Sequence, residues 1–268
     1  MPTMMHRIWS LPDEVRAAYD LTSLDTVWHM ASACPPWLKQ AWINWLGPHR
    51  IWERYGGSEG LGSTIISGAD WLDHRGSVGK PINGVQMKIV HEDGIPCRPG
   101  EVGEIYFRPA AAKLPAYYIG AELRGDAEGF YTMGDLGHVD DEGFLYVADR
   151  RTDLILRGGA NVYPAEVEAA LDAYPGIASS IVIGLPDDEL GARVHAIVEP
   201  MSKQMLNLAG LHAFVAERLA KTKLPESYEV VERPLRDEAG KARRAALRDE
   251  RIQCGLPRAG ISGSEPRD

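Results

Sequence analysis

The chain is poor in cysteine, in paired metal-ligand spacings and in long apolar runs, and each shortage removes a class of function. Its three cysteines, Cys34, Cys97 and Cys254, are odd in number and show no CxxC spacing. Neither a disulfide framework nor a zinc site is suggested, no structural metal is predicted, and a reducing cytoplasm is the default compartment. The histidines are scattered without an HExxH pairing, which removes the common zinc hydrolases. With no run of about 18 apolar residues, no helix is expected to span a membrane. The opening MPTMMHRIWSLPDEV lacks the apolar centre of a secretory signal. Positive charge is short as well: 29 lysines and arginines face 38 acidic residues, a net charge of −9. That balance is unsuited to neutralising phosphates along a nucleic acid.

What is present is a globular composition, 44% hydrophobic and 25% charged over 268 residues, enough for one large or two ordinary domains. Residues 24–30 suit a buried strand. The spacing of Leu38, Trp42, Trp45 and Leu46 is helical and closed by Gly47 and Pro48; core packing is the favoured role for Trp37, Trp42 and Trp45. A short strand at 50–54 runs into Tyr55, Gly56, Gly57, Ser58, Glu59 and Gly60, and glycine turns directly after strands are frequent ligand sites. From 79 to 147 short β runs alternate with turn signals, which predicts an antiparallel or barrel-like subdomain. Residues 109–123 lack pattern and are expected to be an exposed loop. Past Asp153, a strand at 154–156 precedes a helix opening on Pro164, where a missing N–H costs nothing. Runs at 178–184, 192–198 and 228–231 and a helix through Leu208, Leu211, Val215 and Leu219 complete a small α+β domain. The Gly-, Pro- and Ser-rich tail at 253–268 is expected to be disordered.

Candidate chemistry falls on separated stretches. Gly56 to Gly60 matches the G-x-S-x-G nucleophile elbow and opens a serine-hydrolase reading through Ser58. That elbow requires a helix after the serine, whereas LGSTIISG is glycine-broken and β-branched. The other reading gives the hydroxyl and glycine amides to a phosphate and the Glu59 carboxylate to Mg²⁺. Asp135, at a turn in YTMGDLG, and Arg150 could together bind ribose hydroxyls, or cap a turn and sit solvated, respectively. Lys241, in the polar turn RDEAGK, is either solvated or a compact charge for an oxyanion or α-phosphate.

Four stretches then fall in order: YGGSEG at 55–60, YTMGDLG at 131–137, DRRTDLILRGGANVYPAEVE at 149–168 and RDEAGKARR at 236–244. Together they resemble the adenylate-forming superfamily of acyl-CoA synthetases, peptide-synthetase adenylation domains and luciferases. GGANVYPAEVE and ACPPWLKQAWINWLGP look most like fatty-acid and bile-acid type coenzyme A ligases of lipid metabolism. The resemblance implies an α/β plus α+β fold: residues 1–148 as the C-terminal part of a large adenylation domain with a β-rich barrel-like subdomain at about 79–148, a hinge at 149–153, and a small mobile α+β domain at 154–252. It also implies ATP, Mg²⁺ and coenzyme A as cofactors and a small carboxylic acid as substrate. Acyl-adenylate would form first and coenzyme A thiol would then release AMP.

By the same resemblance Tyr55 packs on adenine, Gly56 and Ser58 serve the phosphates, and Glu59 holds Mg²⁺. Asp135 and Arg150 take the ribose, and Lys241 stabilises charge in the first step. Thr152 stands at the hinge, where the family has Asp or Lys, and Gly158 and Gly159 line the pantetheine channel. The family's Ser/Thr/Gly-rich phosphate loop is missing, with no Walker-type substitute, and Met133 stands where Thr is frequent. The expectation is a truncated enzyme that does not make acyl-CoA unaided, with a nucleotide- or coenzyme A-binding or interaction module without activity as the alternative. The acid and the oligomeric state are not legible.

Overall fold

The computed structural model describes residues 1–110, 122–201, 206–237 and 240–254. Most of the 109–123 segment and of the 253–268 tail lies outside the described residues. The chain divides into two compact units, Met1–Arg151 and Thr152–Asp268. Among the described residues no helix is long and apolar enough to cross a membrane.

The first unit opens with α1 (Pro2–Trp9), α2 (Asp13–Ala17), β1 (Val27–His29), α3 (Pro36–Leu46), β2 (Ile51–Gly56), β3 (Ser63–Ser67), α4 (Gly68–Asp73) and β4 (Lys80–Pro81). The four strands form one sheet in chain order; β1 and β2 run parallel and the other pairs antiparallel. Proline opens α3 and Gly47, at φ +91°, ends it in a conformation that favours glycine. Its apolar face carries Leu38, Trp42 and Ile43 onto Ile51, Ile66 and Trp71, with Trp37 and Trp45 packed at the margin. The tryptophans thus sit in or against the core, and Trp42 Nε1 donates to the Met5 carbonyl at 3.2 Å.

β5 (Gln86–Val90), β6 (Gly103–Arg108), β7 (Tyr131–Val139) and β8 (Leu145–Arg150) form a second sheet, an antiparallel meander in chain order over Leu61, Ile89, Ile105, Phe107 and Leu145. Its outer strands β5 and β8 do not pair with each other, so among the described residues the meander is open and not a closed barrel. Sequence alternation resolves only fragments of β7, because register shifts opposite β6 and β8 and a positive φ at Gly134 break the two-residue period.

The second unit contains β9 (Ile155–Arg157), β10 (Ala160–Val162), α5 (Pro164–Asp172), β11 (Ile177–Asp187), β12 (Gly191–Pro200), α6 (Leu208–Ala216), β13 (Ser227–Val230) and α7 (Arg244–Cys254). β9 and β10 make a hairpin, and β11, β12 and β13 a three-stranded sheet. Val182, Val194, Ala196 and Val198 face a core with Val167, Leu171, Leu211 and Val215 of the helices. On the opposite face Ile181, Ile183 and Ile197 pack with Leu235 and Leu247. Apolar side chains on both faces explain the continuous run SIVIGL, where a half-exposed strand would alternate. Each such fully buried aliphatic side chain contributes about 1.5–3 kcal/mol.

Candidate active site

Three side chains meet where β2, β7 and β8 come together in the first unit. Asp135 and Arg150 are directly opposed across the β7–β8 ladder. Tyr55, the penultimate residue of β2, donates its hydroxyl to Asp135 Oδ2 at 2.5 Å, and Arg150 Nε lies 3.4 Å from Asp135 Oδ1. The Asp135 side chain is 11% exposed and that of Arg150 is 71% exposed, so an anchored carboxylate sits beside a guanidinium that reaches solvent. Burial pushes the Asp135 carboxyl above its ordinary range, while Tyr55 and Arg150 pull it back. Burial first, then the Asp135 charge, pushes the Tyr55 hydroxyl up and keeps it a donor. The Glu59 charge pushes both groups in the same upward direction.

The strand carrying Asp135 is fixed from below by a residue that the sequence reading does not single out. Glu104 is buried and accepts Thr132 Oγ1 at 3.0 Å and Arg151 Nη1 at 3.1 Å, and it also pairs with Arg124. Thr132 Oγ1 in turn accepts the Gly134 N–H at 2.9 Å, and the Arg151 N–H donates to the Gly134 carbonyl at 2.9 Å. The available signal was a lone carboxylate inside the strand GEIYFR, whose Ile105 and Phe107 are fully buried. Asp149, also buried, accepts the Arg150 N–H at 2.8 Å and holds that residue's backbone.

The glycine loop joins β2 to β3. A Cβ at Gly57 would come within 2.2 Å of Glu59 Oε2 and 2.5 Å of Met133 Sδ, so any larger residue there would displace the ends of both side chains. A Cβ at Gly56 would meet the Gly62 carbonyl oxygen at 2.8 Å. Ser58 is exposed and its hydroxyl reaches Glu59 Oε2 at 3.4 Å. After Ser58 the chain enters β3 and not a helix, because Thr64, Ile65 and Ile66 favour an extended backbone. The strand–turn–helix of a nucleophile elbow is therefore not formed, and the hydrolase reading through Ser58 falls. The oxygen-only chemistry of Glu59 fits a hard divalent cation such as Mg²⁺.

The remaining site residues belong to the second unit. Thr152 is its exposed first residue, with Oγ1 3.4 Å from Asp153 Oδ1. Gly158 and Gly159, at φ +54° and +82°, form the two-residue turn between paired Arg157 and Ala160, a turn that requires positive φ at both positions. Lys241 is exposed at the end of a tight loop: its N–H donates to Asp237 Oδ1 at 2.9 Å, and the Asp237 N–H donates to the Lys241 carbonyl at 3.1 Å. Beside it opens a cleft of about 340 Å³ lined in part by Arg233, Leu235, Arg243 and Glu250.

Both flanks of the Lys241 loop converge on Glu168, a buried carboxylate on α5. Arg244 Nη2 lies 2.7 Å and Arg236 Nη2 3.2 Å from Glu168 Oε2, and the Val182 N–H donates to Glu168 Oε1 at 2.8 Å. Arg244 Nη1 also reaches Asp153 Oδ2 at 3.1 Å, next to Thr152 in the chain. Glu168 closes the stretch DRRTDLILRGGANVYPAEVE, where its residue type alone implies no role. A glutamate on the inward face of an amphipathic helix, one residue after Val167, was the signal.

Residues 1–118 match the family described as AMP-binding enzyme, and residues 166–241 match the AMP-binding enzyme C-terminal domain. Among similar curated proteins is 2-succinylbenzoate–CoA ligase of Bacillus velezensis, 39% identical over 208 residues that cover 75% of this chain and 41% of that protein. Another is long-chain-fatty-acid–CoA ligase FadD13 of Mycobacterium tuberculosis, 35% identical over 70% of this chain and 37% of that protein. Among solved structures, o-succinylbenzoate CoA synthetase (MenE) from Bacillus subtilis, in complex with the acyl-adenylate intermediate OSB-AMP, is 30% identical with a TM-score of 0.77. That alignment covers 97% of this chain and 51% of the other. The same synthetase in complex with ATP and magnesium ion is 31% identical with a TM-score of 0.77, over 91% of this chain and 50% of the other. The chain thus spans about half the length of these solved relatives and less than half that of the curated ones.

Proposed function

The chain belongs to the AMP-binding enzyme family, and from that premise we propose that it serves ATP-dependent activation of a carboxylic acid followed by transfer to coenzyme A. In the first step a carboxylate oxygen of the acid bonds to the α-phosphorus of ATP and pyrophosphate leaves. In the second the coenzyme A sulfur bonds to the acyl carbon, the thiol gives up its proton, and AMP leaves. The observation that carries the reading is the convergence of Tyr55, Asp135 and Arg150. A carboxylate held by a tyrosine hydroxyl keeps lone pairs for a vicinal diol, and the exposed guanidinium beside it donates to the same sugar.

The Tyr55 ring packs against adenine, and Gly56 and Ser58 offer N–H and O–H groups to phosphate oxygens. Glu59 binds Mg²⁺, which offsets charge on the phosphates when bound. Lys241 stabilises the charge that develops in adenylation, where a positioned cation contributes most. Thr152 is the pivot between the large and small domains, and Gly158 and Gly159 give the pantetheine arm a lining without side chains. The relatives named above act on long-chain fatty acids and on an aryl dicarboxylate, so an acid with a largely apolar carbon skeleton is the favoured substrate class. ATP–pyrophosphate exchange against a panel of fatty, aryl and fused-ring carboxylic acids tests the reading. In a chimera that joins the phosphate-loop half of a relative to this chain, acid-dependent exchange that Lys241→Ala abolishes is expected, and exchange that survives Lys241→Ala would overturn the role of that lysine. Absence of exchange with every acid would favour a binding module without activity.

A further inference from the structure

The loop between β5 and β6 gathers three metal-ligating side chains of different chemistry that the ligase reading leaves unused. His91, Cys97 and Glu101 each offer one ligand atom, and these atoms all lie within 4.8 Å of one another. His91 Nε2 and Glu101 Oε2 are already 3.2 Å apart. The spacing is neither CxxC nor HExxH, so a motif search passes over it.

The backbone presents these donors in a fixed arrangement. The Cys97 N–H donates to the Ile89 carbonyl on β5 at 2.9 Å, and the His91 N–H donates to the Ile95 carbonyl at 2.9 Å. The Arg98 N–H donates to Glu101 Oε2 at 2.8 Å. Beneath the sulfur lies Gly103, where a Cβ would come within 2.5 Å of Cys97 Sγ, so the glycine leaves the thiol its seat. The His91 and Glu101 side chains are 42% and 45% exposed, free to adjust and open to ions from solvent. Asp93 adds negative charge near the sulfur, and Arg98 adds one positive charge near Glu101.

We propose that His91, Cys97 and Glu101 form a surface site for one divalent transition cation of the zinc class, with water completing a four-coordinate shell. An imidazole, a thiolate and a carboxylate are a borderline-soft donor set that suits Zn²⁺ or Co²⁺, whereas Mg²⁺ and Ca²⁺ favour oxygen alone. Bonds of about 2.0–2.3 Å in a tetrahedron separate ligand atoms by roughly 3.3–3.8 Å. Donors already within 4.8 Å close that gap with a side-chain shift of about an ångström. On binding, the thiol releases its proton to solvent and the imidazole carries its proton on Nδ1. Nε2 then bonds the cation in place of its present contact with Glu101. The site is separate from Glu59 and does not rest on the ligase reading.

The test is a titration of the reduced, purified chain with Co²⁺, followed by the thiolate-to-cobalt charge-transfer band in the near ultraviolet and the visible bands of tetrahedral cobalt. One equivalent is expected, displaced by Zn²⁺ and indifferent to excess Mg²⁺. Cys97→Ser should abolish the charge-transfer band. His91→Ala and Glu101→Gln, both at exposed positions, should each weaken binding by at least the roughly tenfold that loss of even a supporting residue costs. Absence of the band in the unmodified chain would overturn the site. So would a band undiminished in Cys97→Ser, which would move the ligand to Cys34 or Cys254, or unchanged affinity in both other variants.

Discussion

Replacing Glu168 is the most exacting test of how the second unit holds the Lys241 loop. Its carboxylate accepts the Val182 N–H at 2.8 Å, three contacts from Arg244 at 2.7–3.3 Å and one from Arg236 at 3.2 Å. Glu168→Ala leaves the Val182 donor without its acceptor, about 1–3 kcal/mol, and strips both guanidinium groups of their carboxylate. Arg244 and Arg236 side chains are 18% and 25% exposed, so water recovers part of their solvation. Arg244 also keeps Asp153. The total is therefore expected at about 3–5 kcal/mol, the range for breaking one partner out of a buried pair, and not at the sum of the separate contacts. Glu168→Gln retains one acceptor oxygen and is expected to lose about 1–3 kcal/mol. Urea denaturation followed by far-ultraviolet circular dichroism gives the total. Amide hydrogen exchange locates it, with protection expected to fall at Val182, Gly240 and Lys241. A loss below about 1 kcal/mol for Glu168→Ala, or exchange that rises equally throughout the first unit, would refute the reasoning.

Other perturbations test separate parts of the fold. Lys39 is 1% exposed and donates to buried Glu53 at 2.6 Å, so Lys39→Met should cost about 3–5 kcal/mol by leaving a buried carboxylate unpaired. Lys39→Met with Glu53→Leu should recover most of it, and a double variant as unstable as the single one in urea denaturation would refute the pairing. Burial pushes the Asp172 carboxyl up to about 7 from 3.8. The folded state therefore holds a proton that the unfolded state releases, and this contribution is full below about pH 4 and lost as pH rises through about 7. The stability of Asp172→Asn relative to the unmodified chain should rise between those limits and level off above pH 7; a difference that does not change with pH would contradict this. A Cβ at Gly79 would lie 2.0 Å from the Ile65 carbonyl oxygen, whereas at Gly94, with nearly the same φ, it would meet nothing within 4 Å. Gly94→Ala should cost about 1–2 kcal/mol for the backbone alone, and Gly79→Ala a further 1–3 kcal/mol or so for the clash. Equal thermal shifts would remove the contact term.

Much of the fold was legible because single elements state their own physics. Pro36 and Gly47 bracket α3, Pro164 opens α5, and the apolar run from Ile181 to Leu185 marks a strand covered on both faces. The motif residues Tyr55, Asp135 and Arg150 were legible as types, and only the fold brings Tyr55, 80 positions away in the chain, onto Asp135. β3 was hidden because Gly60 and Gly62 precede its β-branched run, and β7 because its bulges break alternation. The supporting carboxylates Glu104 and Glu168 carried only a weak signal, a lone carboxylate among apolar neighbours. Their arginine partners lie far along the chain, and the role of each glutamate is defined only once those partners are in place. The metal-ligating trio escaped because its three donors are joined by a hairpin loop and not by a short motif.

Titration calorimetry of AMP, and of a non-hydrolysable acyl-adenylate analogue, into the purified chain and its Asp135→Ala variant tests the proposed nucleotide site most directly. Loss of hydrogen bonds to a charged group is worth about 1.5–3 kcal/mol, so AMP is expected to bind one to one and to weaken by roughly ten- to a hundredfold in the folded variant. No heat of binding with either ligand, or equal affinity for the variant, would contradict the assignment of Tyr55, Asp135 and Arg150 to a nucleotide.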